Sequence, residues 1–344
     1  MNNFQSIKNL FFFQNGSIGD FLMTIFFMEN VHLSNPKLNL YIVVPRNKSF
    51  FKEMIISYNY LNVVEANKSN LGVPLVKFLF DSNYVVVPPT AGSIPLRVKI
   101  LARIISLMPR SFLVGFKDLS KFNFFYDKFF KFDTTIFYLD VMKNLLQEIG
   151  FSLKKNVPSL RYLPNLDCLE KFGVKDKKYL VFHPFGSVRK RSINNKDIIW
   201  VLENILDLDE NTEILLTAGN SDKDYTREIE NYFLKDSRVK IVSGLNPNCL
   251  LNLINNSICF IGVDTGVTHL ASFINKKSLV IANNGTLNWL PYYNKNATIL
   301  YKLRESEDGI YSGLDHIVKN NRGENKCFEI VPKEIIFDYI KKEL

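Results

Sequence analysis

Val263-Asp264-Thr265-Gly266-Val267-Thr268-His269-Leu270-Ala271 is the stretch on which the reading of the chain turns. An apolar run at 258–261 precedes it and has the length of a buried strand. Leu270, Ala271, Phe273 and Ile274 follow at helical spacing. A strand that passes through Asp-Thr-Gly into a helix aims the helix's first unpaired N–H groups out of the strand's carboxyl end, where the helix dipole favours an anion. Gly266 lets the backbone approach a ligand, and Thr265 and Thr268 add hydroxyl donors. A plainer purpose also fits the same residues: Asp264 or Thr265 caps a helix.

Outward from this turn, strand and helix alternate. The second half predicts strands at 179–183, 213–217, 239–242, 258–261 and 279–282, with helices at 195–206, 222–233, 247–255 and 332–342. In the first half, strands are predicted at 10–13, 40–44, 61–64 and 84–87, and helices at 21–32, 48–57, 94–107 and 134–149. Such alternation implies parallel sheets covered on both faces, an α/β class. A length of 344 residues suits two domains. The expected division is a first domain at 1–160, a linker at 161–177, a second domain at 178–331 and a terminal helix at 332–344.

Apolar residues make up 47% of the chain and charged residues 22%, enough to bury a sizeable core. The four cysteines, at 168, 249, 259 and 327, form no C-x-x-C pair and do not cluster with the four histidines. Neither a structural zinc nor a disulfide framework is expected, and a reducing cytoplasm fits. No secretory leader is read, and apolar runs such as 21–28 fall short of the roughly 18 residues of a membrane span. A cytoplasmic chain is expected, with at most a peripheral contact on the inner-membrane face.

The formal charge is +9, and +6 of it falls in residues 1–150, which suits an anionic partner. No helix-turn-helix, zinc finger or RNP-type motif points to nucleic acid. One segment stands apart: Lys117-Asp118-Leu119-Ser120-Lys121-Phe122-Asn123-Phe124-Phe125-Tyr126-Asp127-Lys128-Phe129-Phe130-Lys131-Phe132. It reads either as a basic aromatic surface for a membrane interface or a lipid-linked acceptor, or as a loop and helix whose Phe residues fill the core.

Chemistry is expected at the carboxyl ends of strands. After the first strand comes Gln14-Asn15-Gly16-Ser17-Ile18-Gly19-Asp20, a glycine-rich turn that matches neither a Walker loop nor G-x-G-x-x-G. Asp20 stands at a helix start, where it serves as a cap or as a carboxylate presented to substrate. In the second half three loops converge: residues 183–191 with Ser187, Lys190 and the Arg189-Lys190-Arg191 run, residues 217–222 with Gly219 and Asp222, and the Asp264-Thr265-Gly266 turn. Ser187, Lys190 and the 265–266 amides supply cations and N–H donors suited to a diphosphate leaving group where no metal is bound. Asp20 suits a base that takes a proton from a hydroxyl nucleophile.

Gly16-Ser17-Ile18-Gly19-Asp20, His183-Pro184-Phe185-Gly186-Ser187 with the basic run to Arg191, Leu215-Leu216-Thr217-Ala218-Gly219, and residues 262–271 occur in an order and spacing that resemble glycosyltransferase family 9, the heptosyltransferases of lipopolysaccharide core synthesis. The resemblance spans nearly the whole chain. It implies a GT-B fold: two Rossmann-like domains facing each other across a cleft, with the terminal helix crossing back to the first. It further implies an inverting, metal-independent transfer from a nucleotide sugar, typically ADP-heptose, onto a lipid-linked or phosphorylated glycan acceptor, with no other cofactor. By position, Asp20 resembles the family's catalytic base and Lys190 its phosphate-binding lysine. Gly16, Ser17, Gly19, Ser187, Gly219, Asp222, Asp264, Thr265, Gly266 and His269 fall on the donor-binding motifs, Asp222 toward the ribose. Ser192 stands where the family usually has Trp, and Asn284-Gly285-Thr286-Leu287-Asn288 lacks the Pro and Asp of the family's loop after the last strand. A nucleotide-sugar epimerase and a non-catalytic sugar-nucleotide or lipid binder remain alternatives on the same architecture.

Overall fold

A computed structural model of the chain describes residues 7–14, 17–45, 50–66, 81–88, 96–107, 111–117, 123–133, 136–186, 191–282, 287–302, 326–328 and 332–344. The chain divides into two compact units, residues 1–161 and 162–344.

The first unit runs β1 (Asn9–Phe13), α1 (Ile18–Ser34), β2 (Asn39–Pro45), α2 (Phe50–Met54), β3 (Leu61–Ala66), β4 (Asn83–Val86), α3 (Leu96–Ile105), β5 (Phe112–Lys117), β6 (Lys128–Lys131) and α4 (Tyr138–Glu148). Its six described strands are all parallel, in the order β3-β2-β1-β4-β5-β6. β1 is buried along its full length, as a central strand covered on both faces must be. Phe11 and Phe13 point to the face covered by α3, where they meet Val85, Leu101, Ala102, Ile105, Leu113 and Tyr126. α1 is buried through most of its length, and α4 packs against it.

The second unit runs α5 (Asp167–Lys171), β7 (Tyr179–His183), α6 (Asn195–Leu208), β8 (Glu213–Ala218), α7 (Lys223–Tyr232), β9 (Val239–Ser243), α8 (Pro247–Asn256), β10 (Phe260–Val263), α9 (Gly266–Phe273), β11 (Ser278–Ala282), β12 (Ala297–Lys302), β13 (Lys326–Phe328) and α10 (Lys333–Glu343). Its seven described strands are also parallel, in the order β13-β12-β11-β10-β7-β8-β9. In each sheet the first two βα steps travel one way and the later strands the other. The order therefore reverses between β1 and β4, and between β7 and β10. Loops leave on opposite sides of these junctions and open a crevice at the strands' carboxyl ends.

Several expectations are revised. Residues 162–177, expected as linker, belong to the second unit: α5 packs on α8, and Asn252 on α8 accepts the Asn165 N–H and donates to the Leu163 carbonyl. That packing also brings Cys168 and Cys249 into a disulfide, with Cα atoms 5.6 Å apart, although no disulfide was expected from their spacing. The terminal helix α10 lies on α6 of its own unit, with Ile336 and Ile340 in one cluster with Ile198, Val201 and Leu202. Its i, i+4 isoleucines find cover there. Strands β5, β6, β12 and β13 add to the strands read from sequence. In residues 117–132 a 3-10 turn (Asn123–Phe125) leads into edge strand β6, where one of the two readings had a loop and helix. Tyr126 enters the core, whereas Phe124 and Phe129 are exposed.

Candidate active site

The β1–α1 turn presents Asp20 on the first turn of α1. Ser17 is the N-cap in extended conformation, and its N–H donates to Asp20 Oδ2 at 2.5 Å. Asp20 thus sits at the positive end of the helix with one oxygen oriented by the backbone. Burial nonetheless raises its pKa above the ordinary carboxylate value, outweighing the hydrogen bonds from Ser17 that pull it down. Gly19 is buried beside it in the same turn. Across the helix pair, burial and then the Asp20 charge push the phenol of Tyr138 on α4 well above its usual range, so Tyr138 stays protonated beside the carboxylate. Tyr138 is 118 positions away in sequence, and no local pattern marks it.

In the second unit, β7 and β10 are neighbours, with Gly262 in register with His183, so the loops that follow them leave side by side. Thr265 caps α9 in extended conformation, and Gly266 begins the helix. The Thr265 hydroxyl is buried and has no hydrogen-bond partner among the described residues. Thr268, expected as a further donor, is spent on structure: its hydroxyl donates to the Val263 carbonyl at 2.5 Å and ties the helix back to its strand. Asp264 is buried, its N–H bonded to the Ile281 carbonyl and its Oδ2 3.8 Å from the Arg191 guanidinium. Arg191 Nε has no hydrogen-bond partner among the described residues. Arg191 is the one member of the basic run within the described residues, and it reaches the Asp-Thr-Gly turn.

His269 is buried on α9, with Nδ1 3.2 Å from the Tyr293 hydroxyl. Burial lowers its pKa to about 4, so the ring is neutral and supports the turn from behind. His183 behaves alike: Nδ1 lies 3.0 Å from both the carbonyl and the hydroxyl of Thr217, and burial lowers its pKa to about 4. It locks the ends of β7 and β8 together. The Gly186 N–H donates to Ser192 Oγ at 2.9 Å, and the Ile193 N–H to the Pro184 carbonyl at 3.0 Å. Ser192 therefore has a role of its own at the base of the basic loop. Asp222 Oδ2 accepts the Gly219 N–H at 2.8 Å and closes a 3-10 turn after β8. Gly16, Ser187 and Lys190 lie outside the described residues. A cavity of about 880 Å³ lies near the amino ends of β11 and β12, beneath α10, and none of these residues lines it. No group of three or more His, Cys, Asp or Glu able to hold a metal occurs among the described residues.

The family model of Glycosyltransferase family 9 (heptosyltransferase) matches residues 120–309. The chain belongs to that family, and it is a glycosyltransferase. No curated protein matches it significantly. Among solved structures it is similar to a family 9 glycosyl transferase from Veillonella parvula, at 13% identity and TM-score 0.74 over 98% of this chain and 97% of the other. It is similar also to E. coli ADP-heptose lps heptosyltransferase II, at 12% identity and TM-score 0.73 over 98% of each chain. E. coli heptosyltransferase WaaC, solved with ADP, matches at 12% identity and TM-score 0.67 over 98% of this chain and 100% of the other. The fold is GT-B, as the sequence motifs led one to expect. Family membership decides between a transferase and the epimerase or binding-protein alternatives. Among the described residues no helix is long and apolar enough to cross a membrane.

Proposed function

We propose that the protein moves heptose from ADP-heptose onto a lipopolysaccharide or lipooligosaccharide core, or a related lipid-linked surface glycan, with inversion and without a metal. The observation that carries this reading is the β10–α9 turn: a helix N-terminus with an unpartnered Thr265 hydroxyl, flanked by Arg191 at the switch point of a Rossmann-like sheet. Such a turn suits an anionic phosphate. The ADP bound to the structural neighbour WaaC supports a nucleotide diphosphate in that role.

In the proposed reaction, Asp20 takes the proton of an acceptor hydroxyl. The acceptor oxygen bonds to the anomeric carbon as that carbon's bond to the diphosphate oxygen breaks. The electron pair leaves with ADP. Lys190, Ser187, Gly266 and the first N–H groups of α9 offset the charge that develops on the departing diphosphate, in place of a cation. Gly219 and Asp222 shape the nucleotide end, and Asp264 and His269 hold the turn rigid. The reaction takes place in the cytoplasm, on an acceptor presented at the inner face of the membrane.

The test is to incubate purified protein with ADP-heptose and a core acceptor and to follow the acceptor mass. Growth by one heptose unit, undiminished in EDTA, is the expected result. Conversion or hydrolysis of the donor without acceptor, and no change in acceptor mass, would overturn the reading.

A further inference from the structure

The charge excess of the first half falls in one stretch of the sequence. Residues 96–132 hold eight Lys and Arg against two Asp and Glu, a net +6, equal to the whole excess of residues 1–150. The rest of that half is balanced. The same segment carries a line of exposed apolar side chains. Leu96, Ile100, Ile104 and Leu107 are all exposed. Spaced at i, i+4, i+8 and i+11, they fall on one narrow stripe of α3 and its last turn, opposite the Leu101, Ala102 and Ile105 side that packs on the sheet.

The stripe continues onto neighbouring elements. The 3-10 turn Asn123–Phe125 packs on α3, held by the Arg103–Asp127 ion pair at 2.6 Å, and it presents Phe124 at 73% exposure. In edge strand β6, Phe129 is in register with Gly115 and Lys131 with Lys117. Gly115 faces the α3 side, because the Tyr126 ring lies over it and Tyr126 packs with α3. Phe129, Lys117 and Lys131 therefore share that side of the sheet. Neither Lys117 nor Lys131 is ion-paired among the described residues. Exposed Leu, Ile and Phe interleaved with unpaired lysines on one face is a poor surface for water and a good one for an anionic lipid bilayer, whose headgroups take the cations while the apolar tips enter below them.

We propose that this face, formed by the outer stripe of α3 with Phe124, Phe129, Lys117 and Lys131, docks the protein on an anionic membrane surface. The inference rests on the reading of the acceptor as lipid-linked, and it says where on the chain the membrane is met. α3 follows β4 in the chain, and β4 is the neighbour of β1, whose carboxyl edge leads to Asp20. The lipid contact is thereby carried by the unit that carries the proposed base.

The experiment is flotation of the full-length protein with vesicles of phosphatidylcholine alone and with about one third phosphatidylglycerol. Wild type is expected to float with the anionic vesicles only, and to be released by high salt. Ile100→Glu with Ile104→Glu, and separately Lys117→Glu with Lys131→Glu, should each lower the bound fraction about tenfold or more. Phe124→Ser gives a third, independent reduction. The thermal shift given by ADP should be the same in every variant, which reports an intact fold and donor site. Absence of flotation by a wild type that responds normally to ADP, or equal flotation of all variants, overturns the docking face and leaves the transferase reading standing. Normal flotation without glycosyl transfer does the reverse. A wild-type dimer that the Ile100→Glu/Ile104→Glu variant converts to monomer, with no vesicle binding, overturns the proposal in favour of a second copy of the chain.

Discussion

The Ser17 N–H donates to the Asp20 carboxylate over 2.5 Å, while burial works against that bond and leaves the Asp20 pKa raised. A base must be ionised to accept a proton, so kcat/KM is expected to fall on the acid side at a pH above the ordinary carboxylate range. Asp20→Asn should remove that limb and lower kcat by about 10²–10⁴-fold. ADP binding, measured by thermal shift, should not change. Ser17→Pro deletes the N–H donor and should move the acid limb further up. Full turnover by Asp20→Asn would take Asp20 out of the mechanism.

At the β10–α9 turn two neighbouring threonines are expected to separate cleanly. Thr265→Val removes an unpartnered hydroxyl, and ADP affinity should fall about tenfold with little loss of stability. Thr268→Val removes a bond to the Val263 carbonyl, and stability should fall by about 1–3 kcal/mol as that buried acceptor is orphaned. Isothermal titration and urea unfolding read the two effects. The same loss of ADP affinity in both variants would contradict this division.

His183 and His269 are both buried with pKa values lowered to about 4, against about 6.5 in an unfolded chain. The sign follows from proton counting. Below pH 6.5 the unfolded chain binds protons that the folded one refuses, so the stability present above 6.5 is lost as pH falls toward 4. Each histidine accounts for about 3 kcal/mol of that loss. Urea midpoints at pH 7 and pH 5 should differ clearly in wild type. His269→Gln should narrow the gap, and a gap unchanged in that variant would remove His269 from the account.

Gly115 lies under the Tyr126 ring, where an added Cβ would come within 2.3 Å of Cε1. Gly115→Ala should displace the ring and cost about 1–3 kcal/mol, seen as a lower melting temperature. Gly115→Ala with Tyr126→Leu should recover part of it, since the smaller side chain yields.

The β10–α9 turn was readable because its signal is local. A short apolar run, a turn with Thr and Gly, and an apolar helical face follow one another within residues 258–274. The place of Asp20 on the first turn of α1 was readable for the same reason. Tyr138 beside Asp20, Arg191 beside Asp264, and Tyr293 beside His269 were not, because tertiary packing alone brings them together. Edge strand β6 carries Lys-Phe-Phe-Lys, which has no clean period of two, and it becomes a strand because β5 supplies its hydrogen-bond partners. Cys168 and Cys249, 81 positions apart, meet only through the packing of α5 on α8. Ser192, a departure from the family pattern, gains its meaning from the Gly186 amide it holds.

Both sheets carry their reversal of strand order internally, β1 against β4 in one and β7 against β10 in the other, and the chain passes between units once, after Arg161. Each half therefore has its own switch point, made from its own strands. Splicing at that junction should be an economical way for such genes to diversify. On the proposed division of acceptor and donor between the halves, a chimera of residues 1–161 with the matching second half of another family member should show that member's nucleotide preference and this chain's acceptor, as read by product mass.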